Sequence, residues 1–487
     1  MTWPAYSSRR AAFGVLATAQ FMIILDTSIV GIALPSIQRS LGFSQPGLAW
    51  VVNGYVIAFG GLLLLSGRLG DLIGRKRIFV AGLAVFTTAS LLCGVAVSRG
   101  MLVAARFAQG TGGAMAAAVV LGISMMIFPE THERAKALGV VGFVTAAGGT
   151  VGGVAGGLLI DAASWHWIFF INVPVGVAAV ALAVRLIPAD RGVGLGAGAD
   201  AVGAAFATAG LMLLVYTIVM VPGYGWGSVH TLGLGAVAVA LLAAFAAREA
   251  TAREPLLPLR IFRSRNLSGA NLCQVLMAAP MLGFSFLSVL YLQRVLGYTP
   301  AATGLAGLPL AALLAAVSLG LSARLVVRLG LRPTLLTGLT LIAAGLALFA
   351  RVPVRGHYVA DVLPVMLLIG SGAGLAMPAL MGFAMSSATP GEAGLVSGLF
   401  ATGAQAGGAL GLAVLAALAT ARTDALLAGG RATAPALTGG YHLASAISAA
   451  IVGSGIVLAA TVLRQPALRP PKAKIARDEP ASTQAEG

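Results

Sequence analysis

Gly67-Arg68-Leu69-Gly70-Asp71-Leu72-Ile73-Gly74-Arg75-Lys76-Arg77 separates two apolar runs, 48–67 and 78–98. Each run is about the ~20 residues that a helix needs to cross the hydrocarbon core of a bilayer. The glycines allow a tight turn between the two helices, and the cluster of basic residues around them marks a loop kept on the cytoplasmic side. Asp71, set among those cations, is placed to cap the following helix or to pair across to another. A weakened copy, Arg324-Leu-Val-Val327-Arg-Leu-Gly330-Leu-Arg332, recurs 256 residues later and joins the tenth apolar run to the eleventh. That offset predicts a duplicated six-span bundle with two extra spans inserted between the copies.

The rest of the chain agrees with a lipid-embedded protein. Of its 487 residues 58% are hydrophobic and 9% charged, against roughly a quarter charged in a soluble chain. So few charges cannot cover the surface of a globule in water. The 65 glycines suit helices that pack closely in lipid. Fourteen apolar runs are predicted as spans, near 12–34, 48–67, 78–98, 102–124, 137–160, 166–187, 200–221, 231–247, 267–290, 302–323, 334–350, 361–382, 395–420 and 441–463. They divide the chain into a first bundle (1–187), an inserted pair with its linkers (188–266), a second bundle (267–463) and a disordered cytoplasmic tail (464–487). Ser8-Arg9-Arg10 imitates a twin-arginine leader, but the apolar run continues through Ala33 and is expected to stay as the first span.

The net charge of +16 is distributed unevenly. Of the 31 Lys and Arg residues, 23 fall on the side of the termini, seven on the opposite side, and Arg106 lies within a span. The positive-inside rule therefore puts both termini in the cytoplasm. It also removes the motive for nucleic-acid binding, since the charge belongs to loops rather than to a basic patch with interleaved aromatics. Cys93 and Cys273, both within apolar runs, read as packing residues and not as a disulfide. No lysine sits in a phosphate-cradling Gly-x-x-x-x-Gly-Lys-Ser/Thr loop, so the expected energy source is an ion gradient, with no cofactor.

Several segments carry a family resemblance. Gly67–Arg77 resembles the signature loop of the major facilitator superfamily, and Leu102–Ala114, with Arg106, Gln109, Gly110 and Gly113, resembles its second motif. Leu25-Asp26-Thr-Ser28 to Pro35 and Trp165 to Asn172-Val-Pro174 are similar to motifs of its 14-span drug:proton antiporter branch, as are Tyr291–Gln293 and Ser397–Gly411. The resemblance implies an all-α integral membrane protein of the major facilitator fold, with alternating access between two bundles. Three departures stand out. Gly31 replaces the usual Asn, and Val327 replaces the acid in the second-half loop. The antiporter motif, Gly149 to Gly152-Gly153-Val-Ala-Gly156-Gly157, lacks its proline where Gly153 stands.

Among fifteen acids only Asp26 lies well inside a span, and an ionisable group at that depth is by default functional. Arg106 is the only deep cation. Asp26 as proton-coupling carboxylate tuned by Arg106, and a permanent Asp26–Arg106 ion pair bracing spans one and four, both fit. Gly67, Asp71, Gly74, Arg75 and Arg77 form the candidate gating loop. Gly149, Gly152, Gly153, Gly156 and Gly157 are assigned to helix packing. Asn53, Tyr55, Gln109, Gln274 and Gln405 are polar groups that either line a central cavity or bridge helices. Of the histidines, His132, His166, His230 and His357 read as loop or interface residues, and His442 opens the last span.

The expected activity is proton-driven export of amphipathic drugs or antibiotics across a bacterial cytoplasmic membrane by a monomer. Its partners are the small molecule, protons and the lipid bilayer, with no nucleic acid and no metal. The single deep acid favours neutral or monocationic substrates over dications. A metabolite transporter of the same fold is the alternative. An integral membrane enzyme on lipid-linked substrates would need an interfacial cluster of acids, histidines or metal ligands, which the acid and histidine positions do not provide.

Overall fold

A computed structural model describes residues 6–128, 131–190, 192, 194, 200–252, 262–386 and 393–465. In lipid every backbone N–H and C=O must be satisfied within its own segment, and the described residues accordingly form helices joined by short turns. In order these are α1 Tyr6–Leu41, α2 Gln45–Ile73, α3 Arg75–Gly94, α4 Arg99–Ile127 and α5 Thr131–Ala162. There follow α6 Trp167–Leu186, α7 Ala201–Tyr224, α8 Val229–Thr251, α9 Arg265–Val295 and α10 Pro300–Leu329. The last four are α11 Leu331–Phe349, α12 Tyr358–Met385, α13 Ala393–Ala428 and α14 Thr433–Val462.

These helices coincide with the fourteen apolar runs, but fewer qualify as crossings. Among the described residues 11 are long and apolar enough to span a bilayer, or 12 if α2, bent by 48° between Leu63 and Leu65, counts as one. From α5 and α7 only the shorter apolar stretches Val151–Ala162 and Ala205–Val221 are added.

Local chemistry sets the boundaries. Ser44, Ser98, Asp200, Ser228, Ser264 and Thr299 each accept a backbone N–H at the start of α2, α4, α7, α8, α9 and α10, the usual remedy for the unpaired donors of a first turn. Pro174 can offer no N–H, and α6 is interrupted just before it, at Ile171. The last span begins earlier than its apolar pattern predicts. α14 starts at Thr433, so His442 lies within it and bonds the Val352 carbonyl through Nε2 at 2.7 Å. The tail also begins later than expected. Arg464 and Gln465 are folded against Asn266 and Arg332, and the rest of the tail lies outside the described residues.

The sequence duplication is structural. Gly74 between α2 and α3 and Gly330 between α10 and α11 both have positive φ, +109° and +94°, a conformation that glycine adopts without strain. Small residues then let equivalent helices meet backbone to backbone. A Cβ on Gly82 of α3 would lie 2.8 Å from the Gly112 carbonyl of α4, and one on Gly338 of α11 would lie 2.7 Å from the Gly372 carbonyl of α12. The inserted α7 packs on both α2 and α13, and so touches both halves. At the end remote from the termini, Gln293 Nε2 of α9 donates to the Ile32 carbonyl of α1 at 3.1 Å. There too the Ala301 N–H of α10 donates to Asp161 of α5 at 3.1 Å.

Candidate transport site

The deep polar residues of the first half converge. Asp26 is wholly buried, and its Oδ2 accepts from Arg106 Nη1 at 2.6 Å. Its Oδ1 accepts from Gln109 Nε2 at 2.8 Å and from Asn172 Nδ2 at 2.9 Å. The Ser90 hydroxyl of α3 accepts from the same two amides, at 2.9 and 3.0 Å. Arg106 also donates through Nε to the Val51 carbonyl (3.0 Å) and through Nη1 to Gln109 Oε1 (2.7 Å), and its guanidinium carbon lies 4.4 Å from the Tyr55 ring centroid. One carboxylate thus collects three donors from α4 and α6, while its cation is fixed by α2 and α4.

Helix geometry explains the convergence. Arg106 and Gln109 are three residues apart and share a face of α4. The break at Ile171 starts the second part of α6 at Asn172. Gly110 and Gly113 leave space for Tyr55: a Cβ on Gly113 would lie 2.9 Å from its hydroxyl, and one on Gly110 would press on its backbone. Cys93 is buried as a free thiol beside Gln109 Oε1, 3.6 Å away, and Cys273 is free and buried on α9.

Of the five cavity candidates Gln109 and Tyr55 belong to this cluster, and the other three do not bond to it. Gln109 is fully buried with its amide engaged, so in this conformation it braces helices. Asn53 is also fully buried, and among the described residues neither of its amide atoms has a hydrogen-bond partner. Gln274 on α9 is buried with its Oε1 unpartnered, and Gln405 on α13 is half-buried against Gly60 of α2. Neither reaches the Asp26 cluster. Sequence reading missed Ser90, and it treated Asn172 only as part of a motif. A polar residue inside an apolar run was the available signal for both. Two further acids, Asp200 and Glu249, are buried, but at the ends of α7 and α8, where Arg248 meets Asp200 at 3.1 Å.

In the candidate gating loop, Asp71 Oδ1 pairs with Arg75 Nη2 at 2.8 Å, and Arg75 Nη1 reaches the Gly122 carbonyl of α4 at 3.3 Å. The cap of α3 is supplied by Asp190, not by Asp71: its carboxylate accepts from the backbone N–H of Arg75 (2.6 Å) and of Lys76 (3.0 Å). Gly67 faces Ala118, and Arg77 is exposed.

The glycine motif of α5 has two faces. A Cβ on Gly152 would lie 2.8 Å from the Leu25 carbonyl, and one on Gly156 3.2 Å from Ile29 Cα, so this face packs on α1 astride Asp26. Gly157 faces the other half, where a Cβ would lie 2.6 Å from Ala301 Cα of α10, and Gly153 lies beside Gly304 with more room. The surroundings of Gly149 and the side chain of His132 lie outside the described residues. His166, between α5 and α6, stacks on Trp165 with ring centroids 3.7 Å apart, and burial lowers its pKa from the ordinary value.

Comparison with known proteins agrees with this architecture. The chain is 38% identical over 454 residues to the puromycin resistance protein pur8 of Streptomyces alboniger, covering 91% of this chain and 89% of that one. It is 34% identical over 416 residues to the cephamycin export protein CmcT of Amycolatopsis lactamdurans (84% and 85% covered). It is 34% identical over 410 residues to the tetracenomycin C resistance and export protein of Streptomyces glaucescens (84% and 75%). A solved bacterial homologue of the lysosomal transporter Spinster superposes with a TM-score of 0.66 at 16% identity, over 94% of this chain and 97% of that one. The peptide transporter PepTSo gives 0.68 at 14%, over 94% and 99%. Residues 16–412 match the model of the Major Facilitator Superfamily, and the chain belongs to that family as a multi-pass membrane transporter.

Proposed function

We propose that this protein is a proton-coupled exporter of amphipathic drugs or antibiotics that works by alternating access across a bacterial cytoplasmic membrane. The reading places fourteen spans around two bundles, both termini in the cytoplasm and the monomer as working unit. Relatives named for puromycin resistance and for cephamycin and tetracenomycin C export support the direction and class of transport. The observation that carries proton coupling is the buried Asp26–Arg106 pair. Moving a carboxylate out of water costs several kcal/mol, and this one is retained where α1 meets α4 and α6.

Protonating Asp26 cancels the charge that holds Arg106, Gln109 and Asn172, and so loosens α1 from α4 and α6. Deprotonation restores those bonds. Because α1 also bonds α9 through Ile32 and packs on the α5 glycines, its movement reaches the contacts between the halves. Asp26 is already neutralised by Arg106, which accords with neutral or monocationic substrates.

The test is drug-induced proton release from acid-loaded everted vesicles, with puromycin, a cephamycin, tetracenomycin C and lipophilic cations as probes. The variants are Asp26→Asn alone and Asp26→Asn with Arg106→Gln, the second leaving no uncompensated guanidinium. Native vesicles should release protons on drug addition, and the double variant should take up drug without doing so. Proton release that persists in the double variant sinks Asp26 as the carrier. Native vesicles silent to every compound would favour an endogenous metabolite instead.

A further inference from the structure

Two turns that are equivalent by duplication are clamped by chain segments that are also equivalent. In the first half the segment leaving α6 folds back over the α2–α3 turn. Asp190 accepts both first N–H groups of α3, Gly194 N–H donates to the Leu72 carbonyl at 2.9 Å, and Lys76 Nζ donates to the Val184 carbonyl at 2.7 Å. The fit is close: a Cβ on Gly74 would lie 2.9 Å from the Asp190 carbonyl.

In the second half the segment leaving α14 does the same. Gln465 Oε1 accepts from the Arg332 N–H at the start of α11 (3.3 Å), and the Gln465 amide occupies the space that a Cβ on Gly330 would take. Arg464 and Asn266 exchange two bonds, at 2.9 and 3.0 Å, and hold that segment down. The two clamping residues follow the sixth helix of their respective halves, and neither belongs to the signature loop. The first is a carboxylate at a helix N-terminus, favoured by charge-assisted bonds and by the helix dipole, and the second is a neutral amide.

We propose that Asp190 and Gln465 are paired positioning residues, each fixing the turn between the second and third helices of its half, with the charged Asp190 clamp the stronger. Asp190 orients α3 so that Arg75 reaches both Asp71 and the Gly122 carbonyl. It also ties the turn to the inserted pair, since ten residues later Asp200 caps α7 through the Gly203 N–H at 2.8 Å, and α7 lies on α2 and α13.

The test is hydrogen exchange on the full-length protein in lipid nanodiscs, read at the Arg75, Lys76 and Arg332 amides. Asp190→Ala should speed exchange at Arg75 and Lys76 by about tenfold, the usual consequence of losing a cap. Asp190→Asn, which keeps an acceptor, should restore part of the protection, and Asp71→Ala should leave it intact. Gln465→Ala should speed Arg332 alone, by a smaller factor. In everted vesicles Asp190→Ala should cut maximal drug-induced proton release at least about threefold with half-saturation unchanged, and Asp190→Asn should recover it.

Unchanged exchange in Asp190→Ala, or an equal effect from Asp71→Ala, overturns the proposal. If Asp190→Ala does not fold, Gln465→Ala decides: no effect at Arg332 refutes the pairing. Only the vesicle arm rests on the export reading, so silent native vesicles would sink that reading and leave the exchange arm to judge this one.

Discussion

Asp26 of α1 and Arg106 of α4 lie 2.6 Å apart with at most 1% of either side chain exposed. Breaking such a pair by removing one partner costs about 3–5 kcal/mol, because the other charge is left buried and alone. Asp26→Asn should therefore lower the thermal stability of the purified protein sharply, and Asp26→Asn with Arg106→Gln should lower it less. Additive losses, with the double variant losing as much as Asp26→Asn and Arg106→Gln together in thermal unfolding in detergent, would show that the two charges do not depend on each other.

The α5 glycines differ in how much room they have. Gly157 meets the backbone of Ala301, whereas a Cβ on Gly153 would come no closer than 4.0 Å to the Gly304 carbonyl. Gly157→Ala should overpack the α5–α10 contact and destabilise by about 1–3 kcal/mol, while Gly153→Ala should be near neutral. A thermal shift series over the two variants checks the order, and a reversal would contradict the packing described.

Two bonds join the halves at the end remote from the termini, Gln293 to the Ile32 carbonyl and the Ala301 N–H to Asp161. Removing both acceptor and donor groups with Gln293→Ala and Asp161→Ala should shift the population toward a form open at that end. Thiol labelling of a cysteine placed at Thr303, buried near this contact, should then quicken at least about threefold relative to the parent. Unaltered labelling would show that these bonds do not hold the end closed.

Burial lowers the pKa of His166, which stacks on Trp165, from the ordinary value. The folded state therefore binds its proton less readily than the unfolded chain, so the contribution of His166 to stability is present above the unfolded pKa, about 6.5, and is lost as pH falls below it. His166→Gln should flatten the decline in melting temperature between roughly pH 7 and pH 5. A decline as steep as that of the parent would assign it to other groups.

Much of this was legible in sequence because membrane insertion depends on local properties. Apolar length set the helices, and the repeat at Gly74 and Gly330 announced the duplication, since a turn of that shape selects glycine wherever it occurs. Asp26 and Arg106 stood out for a similar reason: a charge in an apolar run needs no partner in view to be recognised as costly. The α14 start was misplaced because Thr433–Tyr441 is apolar enough to continue a helix but carries no strong start signal.

Residue order alone was enough for the all-helical membrane class, for the paired turns at Gly74 and Gly330 and for the two charges buried deep among the helices. Tertiary structure decided which residues join that pair. Gln109 and Asn172 meet Asp26, and Ser90 meets both of their amides, across separations of up to 146 residues, and no local pattern encodes a hydrogen bond between helices distant in the chain. It also decided that Asp190 rather than Asp71 caps α3. Any nearby acid can serve a helix N-terminus, and only the path of the chain leaving α6 brings one to the two free N–H groups while Asp71 is drawn to Arg75.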